Sequence, residues 1–308
     1  MGVASMRTKL ILSSLRPPSR CKNMAADDIH ESHDAVLRGK VYIDTLPADI
    51  LPAKKLLEKY SGIRSKDVDR HIHHVRDRMW EIQPHVFVGH FRFLSLGFTS
   101  DPCYHAALRR LLQPKPAARL LDLGCCVGQL LRQLAFDGVD TTRLYGIDVE
   151  PRFLDLGYEL FRDRRKFKAT LIIGDLLKPG EAGTGEETLK ALDGRMSIVH
   201  ATSFFHLFAW EDQLRAAVRI VRFLDPSDYG VMIFGRQVGS TMPGERKGPN
   251  GDRRYLHDQE TWQALWDEVG KLTGTSWRAI IDPLENEGGN TDGIDDTLRR
   301  VRFSVHRA

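Results

Sequence analysis

LLDLGCCVGQLLRQL, residues 120–134, joins an apolar run to a glycine-containing turn and then to a second apolar run at helical spacing. This order is typical of a buried strand that turns directly into a helix. Gly124 and Gly128 let the backbone approach a ligand closely, and the start of the helix offers free N–H donors. The segment therefore predicts a ligand-binding turn at the carboxyl end of a strand.

Beyond this segment the chain alternates between strands and amphipathic helices. Strands are predicted at 119–124, 143–149, 169–176, 196–202, 229–235, 277–281 and 299–306. A long Gly- and Pro-rich loop is expected at 236–254, before a helix around Trp262. Such alternation is typical of a parallel sheet covered by helices on both faces. We therefore predict an α/β fold, a Rossmann-like, seven-stranded, doubly wound sheet.

The part of the chain before this sheet has a different pattern. Helices are predicted at 53–60, at 65–79 and after Asp101-Pro102. Ser65 is expected to cap the second of them. Residues 86–98, VFVGHFRFLSLGF, are expected to form a loop or short helix over an apolar surface. The chain is thus divided into a helical lid or substrate region at 41–115 and a cofactor-binding domain at 116–308.

Charge and composition narrow the classes of partner. Residues 1–25 carry five basic and no acidic residues, which leaves 40 basic and 41 acidic residues in the rest of the chain. A near-neutral body lacks the clustered cations that a duplex-binding surface needs. No apolar run reaches the roughly 18 residues that a membrane span needs. We expect a small-molecule partner, no nucleic acid and no membrane span, and we leave a homodimer open.

The first 40 residues are expected to lie outside the fold. Residues 1–23 contain Ser and Arg and no acid, as a mitochondrial transit peptide would, but RPPSR interrupts any amphipathic helix. We expect a disordered or targeting-like tail at 1–40, and a cytoplasmic location rather than a mitochondrial one. The four cysteines have neither disulfide nor zinc spacing, and no metal site is expected.

Asp122 indicates which ligand the turn binds. A dinucleotide turn holds a pyrophosphate, which Asp122 would repel, and its glycines would stand at 124, 126 and 129. Positions 126 and 129 are Cys and Gln. S-adenosylmethionine (SAM) has no phosphate and carries a cationic ammonium and sulfonium, which a carboxylate suits. The turn therefore favours SAM over NAD.

Two further acids follow predicted strands of the same sheet. Asp148 ends the second strand, where an acid accepts hydrogen bonds from the ribose hydroxyls of an adenosine. Gly174, Asp175 and Leu176 end the third strand. Asp175 is expected to accept the adenine amino group, and Leu176 to pack on the ring. Because open α/β sheets bind ligands at the carboxyl ends of their strands, the three acids predict one cofactor cradle.

Candidate residues for the acceptor follow the fourth strand. His200 is expected beside the amino-acid end of the cofactor, and His206 near the methyl group as a general base or as a donor to a carboxylate. A carboxylate acceptor needs no base, so positioning would supply most of the rate. Phe87, Phe91 and Arg92 are candidates for a substrate lid. Core packing is the alternative for this lid, and helix packing is the alternative for His206.

Four segments carry a resemblance to a known family: YIDTLPADI (42–50), HIHHVRDRMWEIQPHVFVGHFRFL (71–94), DLGCCVGQLLRQL (122–134) and GIDVEPRFLDLGYELF (146–161). The chain resembles the methyltransferases of fungal meroterpenoid and polyketide gene clusters, such as the carboxyl methyltransferases of the austinol, andrastin and terretonin pathways. Cys126 departs from the glycine of the general methyltransferase pattern, and the resembled family carries the same cysteine.

The resemblance implies a class I methyltransferase fold, and we read the helices at 41–115 as an N-terminal lid on it. By position it implies SAM contacts at Asp122, Leu123, Gly124, Gly128, Asp148, Val149, Asp175 and Leu176. We therefore predict a SAM-dependent O-methyltransferase that acts on a carboxylate or hydroxyl of a small secondary metabolite. Two alternatives remain open: methylation of nitrogen or carbon, and a SAM-fold protein that binds ligand without turnover.

Overall fold

The computed structural model describes residues 38–178, 186–248, 251–284 and 295–308. The tail predicted at 1–40 lies outside these residues, except that its last three belong to a helical turn at 38–41. Among the helices described, none combines the length and the apolar character that a membrane crossing needs.

A seven-stranded sheet forms the centre of the fold. The strands of the chain are β1 (Leu120–Leu123), β2 (Leu144–Asp148), β3 (Thr170–Ile173), β4 (Ile198–His200), β5 (Met232–Ser240), β6 (Gly244–Lys247), β7 (Arg253–Leu256), β8 (Trp277–Pro283) and β9 (Leu298–Arg307). The order in the sheet is β3-β2-β1-β4-β5-β9-β8, and β6 and β7 form a separate hairpin. β1 to β5 pair in parallel, whereas β9 is antiparallel to β5 and β8. The predicted Rossmann-like, seven-stranded α/β fold is confirmed.

Helices cover the sheet and build the region before it. They are α1 (Leu51–Lys59), α2 (Ser65–Ile82), α3 (Val86–Gly89), α4 (Pro102–Leu112), α5 (Gln129–Phe136), α6 (Pro151–Phe161), α7 (Glu186–Lys190), α8 (Trp210–Phe223) and α9 (Gln259–Thr273). The predicted start of α4 is confirmed, because Asp101 accepts a hydrogen bond from the Cys103 N–H at 3.0 Å. The predicted Ser65 cap is wrong. Arg64 is the extended residue before α2, so Ser65 already lies inside the helix.

The prediction of a loop at 236–254 is wrong, because most of this segment forms strands. β5 continues to Ser240, where it faces Leu298 of β9, and the hairpin β6–β7 follows. The hydrogen bonds that extend β5 come from a strand some 60 residues later in the chain. Polar residues such as Arg236 and Gln237 gave this segment no apolar alternation, and sheet partners that lie far along the chain overrode the local preference.

A buried ion pair ties the N-terminal helices to the sheet domain. Arg132 of α5 and Asp163 are both fully buried, with Nε and Oδ2 3.0 Å apart. The Tyr60 hydroxyl, just after α1, donates a hydrogen bond to the same oxygen at 2.9 Å. The hydrophobic core that contains α1 and α2 is continuous with residues from β1, α5 and α6. The N-terminal helices are therefore packed onto the sheet domain, close to the turn after β1.

Candidate active site

The turn after β1 has a left-handed backbone at three positions. The φ angles are +64° at Gly124, +51° at Cys126 and +67° at Gly128. Glycine adopts such angles without steric cost, whereas cysteine does so with strain. A side chain at Gly128 would also meet the Arg132 guanidinium, since an added Cβ would lie 2.4 Å from Nη1. Arg132 in turn donates a hydrogen bond to the Val127 carbonyl at 3.2 Å, which supports the turn.

Asp148 at the end of β2 holds this turn from the neighbouring strand. Its Oδ2 accepts the Cys126 N–H at 2.7 Å, and its Oδ1 accepts the Glu150 N–H at 2.9 Å. Burial raises the pKa of Asp148, while these backbone donors lower it. Each carboxylate oxygen has a second lone pair, so Asp148 can still accept from two further donors.

Asp122 and His200 form a buried pair across β1 and β4. The strand register places them directly opposite each other, and His200 Nδ1 lies 2.7 Å from Asp122 Oδ1. Because the carboxylate can only accept, Nδ1 is assigned the proton. On the other side of the ring, Nε2 lies 2.7 Å from the Thr202 hydroxyl, which accepts the Arg236 N–H at 3.1 Å. One hydrogen-bond chain thus crosses β1, β4 and β5.

The tips of β2 and β3 combine acids with apolar side chains. Asp175 uses Oδ1 to accept the Leu177 N–H at 2.9 Å, and Leu176 is buried beside it. Val149, which follows Asp148, is 63% exposed, and Ile173 at the end of β3 is 47% exposed. Exposed apolar side chains next to carboxylate acceptors suit a ligand with a flat ring and polar edges.

The N-terminal region reaches the same edge of the sheet. The rings of Phe98 and His200 meet edge to face, with centroids 6.0 Å apart. The Arg236 guanidinium donates a hydrogen bond to the Gly97 carbonyl at 2.6 Å. Residues 97–98 therefore contact the Asp122–His200 pair and β5, as a covering segment would.

The predicted substrate residues lie in different surroundings. Phe91 is 2% exposed, and the Arg76 guanidinium lies 4.6 Å from its ring centroid. Phe87 is half-buried and packs edge to face on Phe153 of α6, and Arg92 is exposed. These contacts support core packing for Phe91. A substrate role for Phe87 and Arg92 stays a prediction.

His206 lies in a 3₁₀ turn after β4 and is held in place by its neighbour. Phe205 is fully buried, with its ring centroid 5.2 Å from that of Trp262. Burial, and to a smaller extent the nearby Arg254 guanidinium, lower the pKa of His206 to about 4. The imidazole is therefore neutral at pH 7. Its Nδ1 atom is buried without a hydrogen-bond partner among the described residues.

The cysteines of the turn carry no charge. Burial raises the pKa of Cys125 and Cys126 well above the usual value, and the carboxylates of Asp122 and Asp148 raise it further. Both side chains are neutral thiols at pH 7, so they do not provide a thiolate nucleophile.

With this geometry in place, comparisons with known proteins identify the family. The family model "Meroterpenoid methyltransferase N-terminal domain" matches residues 41–94, and the model "Methyltransferase domain" matches residues 120–227. The O-methyltransferase phiE of a fungal species is 38% identical over 273 residues, which cover 83% of this chain and 88% of that protein. The chain belongs to the fungal secondary-metabolite O-methyltransferases.

Two further fungal relatives are similar over most of the chain. An O-methyltransferase of Stereocaulon alpinum is 34% identical over 301 residues, covering 96% of this chain and 80% of that protein. The asnovolin E/chermesin D methyltransferase of Aspergillus novofumigatus is 35% identical over 243 residues, covering 77% of this chain and 84% of that protein. The predictions of a SAM-dependent methyltransferase and of its family are confirmed.

Some residues of this site were not found from the sequence. Thr202 and Phe98 contact His200, and the Arg236 N–H donates to Thr202. Phe98 and Arg236 fall within the segments 87–98 and 236–254, between which, with His206, we expect the acceptor, but no local motif singles out any of the three residues. The hairpin β6–β7, which brings Arg254 to His206, did leave a signal. Asn-Gly at 250–251 lies between two short polar runs, and this dipeptide is a strong hairpin indicator.

Proposed function

We propose that this O-methyltransferase binds SAM along the tips of β1 to β4 and transfers its methyl group to a carboxylate or hydroxyl of a small secondary metabolite. The observation that carries the assignment is the set of carboxylates at three successive strand tips, Asp122, Asp148 and Asp175, beside a left-handed turn. In this proposal the cofactor contacts are Asp122, Leu123, Gly124, Gly128, Asp148, Val149, Gly174, Asp175, Leu176 and His200.

The chemistry of these residues fits the parts of SAM. Asp148 retains lone pairs for the two ribose hydroxyls, and Asp175 Oδ2 is available for an amino group of adenine. Val149 offers exposed apolar surface for the ring, and Leu176 is assigned to pack on the ring from its buried position beside Asp175. A Cβ built on Gly124 would meet only Phe204, 3.9 Å away, so the turn leaves space on that side. The negative charge of Asp122 at the base of the turn favours a cationic amino-acid end.

SAM, when bound, supplies an electrophilic methyl group on a sulfonium. The protein then has to hold an acceptor oxygen in line with it and exclude water. His200, fixed between Asp122 and Thr202, keeps the floor of the site rigid. His206 is neutral and is assigned to accept a hydroxyl proton or to donate a hydrogen bond to a carboxylate. An acceptor that is already ionised needs no proton transfer.

Isothermal titration with SAM and S-adenosylhomocysteine tests the cofactor assignment. Asp148→Ala should weaken both ligands by at least about ten-fold, since it removes charge-assisted hydrogen bonds. Asp155→Ala is the matched control, because Asp155 is an exposed carboxylate on α6 whose contact is an ion pair with Arg164. Equal affinities in the two variants would contradict the proposed cradle.

The identity of the methylated atom needs a second experiment. Methyl transfer to aromatic acids and phenols, followed by product analysis, should give methyl esters or ethers. His206→Ala should lower turnover of phenols and spare carboxylic acids, because the latter need no base. Products methylated at nitrogen or carbon would show that the protein is an N- or C-methyltransferase and would contradict the proposed reaction. SAM binding with no turnover on any acceptor would favour the binding-only alternative.

Three expectations, on cellular location, nucleic-acid binding and oligomeric state, stay predictions. We place the protein in the cytoplasm, assign it no nucleic-acid partner and leave a homodimer open. Fluorescence microscopy of the tagged full chain and light scattering at several concentrations would check the first and the last. The division into a lid at 41–115 and a SAM-binding domain at 116–308 is likewise a proposal.

A further inference from the structure

A group of polar side chains beside His206 has no role in the cofactor site. It lies where the hairpin β6–β7 approaches β5 and the turn that carries His206. The hairpin register places Arg246 directly opposite Arg254. Gln237 projects from β5 and is 5% exposed. We call Arg254, Gln237 and His206 the polar cluster.

Several buried polar atoms of the polar cluster have unsatisfied hydrogen-bonding capacity. Neither Oε1 nor Nε2 of the buried Gln237 has a hydrogen-bond partner among the described residues, and the same holds for Arg254 Nε and His206 Nδ1. A buried polar atom without a partner costs on the order of 1–3 kcal/mol. Such atoms are rare in folded proteins, and each needs an explanation. Arg254 is near enough to act on His206 electrostatically, and β5, which carries Gln237, packs against both the hairpin strand β7 and the turn that carries His206. Unpartnered polar atoms on these three adjoining elements indicate a ligand site.

The charge of the surroundings indicates the kind of ligand. Arg246 is engaged, because it lies 3.6 Å from Asp295 and donates hydrogen bonds to Ser240 and Thr297. Arg254 makes no hydrogen bond or close ion pair with any described residue, although Asp295 attracts it at longer range. Burial lowers the pKa of Arg254, and the positive charge of Arg246 lowers it further. An anion at this position would relieve both effects.

We propose that the polar cluster is the part of the acceptor site that recognises an anionic oxygen group, a carboxylate in the first instance. The Arg254 guanidinium would donate to the anion, and the Gln237 amide and the His206 ring would complete its hydrogen bonds. This inference rests on the proposed function, since it places the anion next to the residue assigned to the acceptor. Arg254 is then a specificity-determining residue of the O-methyltransferase.

Ligand pairs that differ in charge test the proposal. The full chain, saturated with S-adenosylhomocysteine, is titrated at pH 7.5 with 2-naphthoate, which is ionised, and with 2-naphthamide and 2-naphthol, which are neutral. 2-Naphthoate should bind the unmodified protein at least about ten-fold more tightly than either neutral ligand. Equal affinity for all three ligands would overturn the proposal.

Two variants assign the preference to the polar cluster. Arg254→Gln should abolish the advantage of 2-naphthoate. Arg253→Gln should keep it, since Arg253 is an exposed neighbour that pairs with Glu245. Survival of the full advantage in Arg254→Gln would overturn the proposal. Both variants should bind S-adenosylhomocysteine with the affinity of the unmodified protein. If the unmodified protein did not bind S-adenosylhomocysteine at all, that result would contradict the proposed function rather than this inference.

Gln237→Leu separates a binding role from a structural one. A leucine of similar size removes two unsatisfied polar atoms, so the melting temperature should rise or stay level. Affinity for 2-naphthoate should fall at least about three-fold, because the anion loses a donor. A variant that is less stable and binds 2-naphthoate normally would show that Gln237 is structural, against the proposal.

Discussion

Cys126 shows how one strained residue is held in a useful conformation. Its φ angle of +51° is unfavourable for any residue with a side chain. The cost is offset because its N–H donates to Asp148 at 2.7 Å, a charge-assisted hydrogen bond. The resembled family carries the same cysteine, and the bond to Asp148 explains how a residue with a side chain is held at this φ angle.

Substitutions at position 126 should separate backbone strain from side-chain chemistry. Cys126→Gly relieves the strain but makes the unfolded chain more flexible, so the free energy of unfolding should change by less than about 1 kcal/mol. Cys126→Val places a branched side chain at positive φ and should cost about 1–3 kcal/mol. Urea unfolding measures both. A glycine variant that is the less stable of the two would refute the strain argument.

His257 makes the stability of the protein depend on pH. The ring is buried and hydrogen-bonded to Gln213 at 3.0 Å, and burial lowers its pKa to about 4. In the unfolded chain the pKa is about 6.5. Below about pH 6.5 the His257 ring is protonated in the unfolded chain but stays neutral in the folded protein. The free energy of unfolding therefore falls as the pH drops from about 6.5 towards 4.

Denaturant unfolding at pH 7.5 and pH 5 tests this assignment. His257 should contribute a loss on the order of 1–2 kcal/mol between the two. In His257→Gln the overall stability is lower, but the difference between the two pH values should shrink by about that amount. The same difference in both proteins would mean that other groups, His206 among them, account for the acid sensitivity.

At the scale of elements, α6 packs against the back of the turn after β1. Its Gly157 lies so close to the turn that an added Cβ would be 2.5 Å from the Val127 carbonyl oxygen. A helix of this kind approaches a backbone closely because its contact face has no side chain there. The shape of the turn therefore depends on α6 as well as on β1.

Gly157→Ala should reverse the usual preference for alanine in a helix. Alanine normally stabilises a helix by up to about 1 kcal/mol over glycine, but here overpacking should cost about 1–3 kcal/mol and weaken S-adenosylhomocysteine binding. Gly39→Ala is the control, because a Cβ at Gly39 meets nothing within 4 Å. Titration and thermal unfolding give both quantities. A Gly157→Ala protein as stable as the control would disprove the packing argument.

The elements that the sequence predicted best are those with a strong local pattern. β1 and α5 were found because the apolar spacing of residues 120–134 marks a buried strand followed directly by a helix. The end of β5 was missed, since its polar residues pair with β9, which lies far along the chain and which no local pattern reveals. The hairpin β6–β7 was missed although Asn-Gly at 250–251 indicates it. In the site, the strand-tip acids could be predicted one by one. The Asp122–His200 bond could not, because it depends on the register of β1 against β4.

At the scale of the whole molecule, the buried Arg132–Asp163 pair joins two parts of the chain. Tyr60 adds a hydrogen bond from the N-terminal helices, and Lys166 lies 3.8 Å from the Tyr60 ring centroid. A buried ion pair is stable when further hydrogen bonds satisfy its remaining atoms. Tyr60 therefore helps both to satisfy Asp163 and to hold α1 in place.

Tyr60→Phe should loosen the N-terminal helices before the sheet. Loss of a hydrogen bond to a carboxylate should cost about 1.5–3 kcal/mol, and amide hydrogen exchange should accelerate more in α1 and α2 than in β1 and β4. Tyr229→Phe is the control, since Tyr229 is 79% exposed. Uniform acceleration over the whole chain would argue against a local role.

The hydrogen bond between Cys126 and Asp148 affects the entropy cost of ligand binding. Folding alone orders the turn, so in the proposed cofactor site the nucleoside would meet a preformed surface instead of a loop that must wrap around it. Association then loses little chain entropy, and tight binding can be reached with few contacts. Relatives could therefore vary the rest of the cleft to suit new acceptors without weakening their hold on the methyl donor.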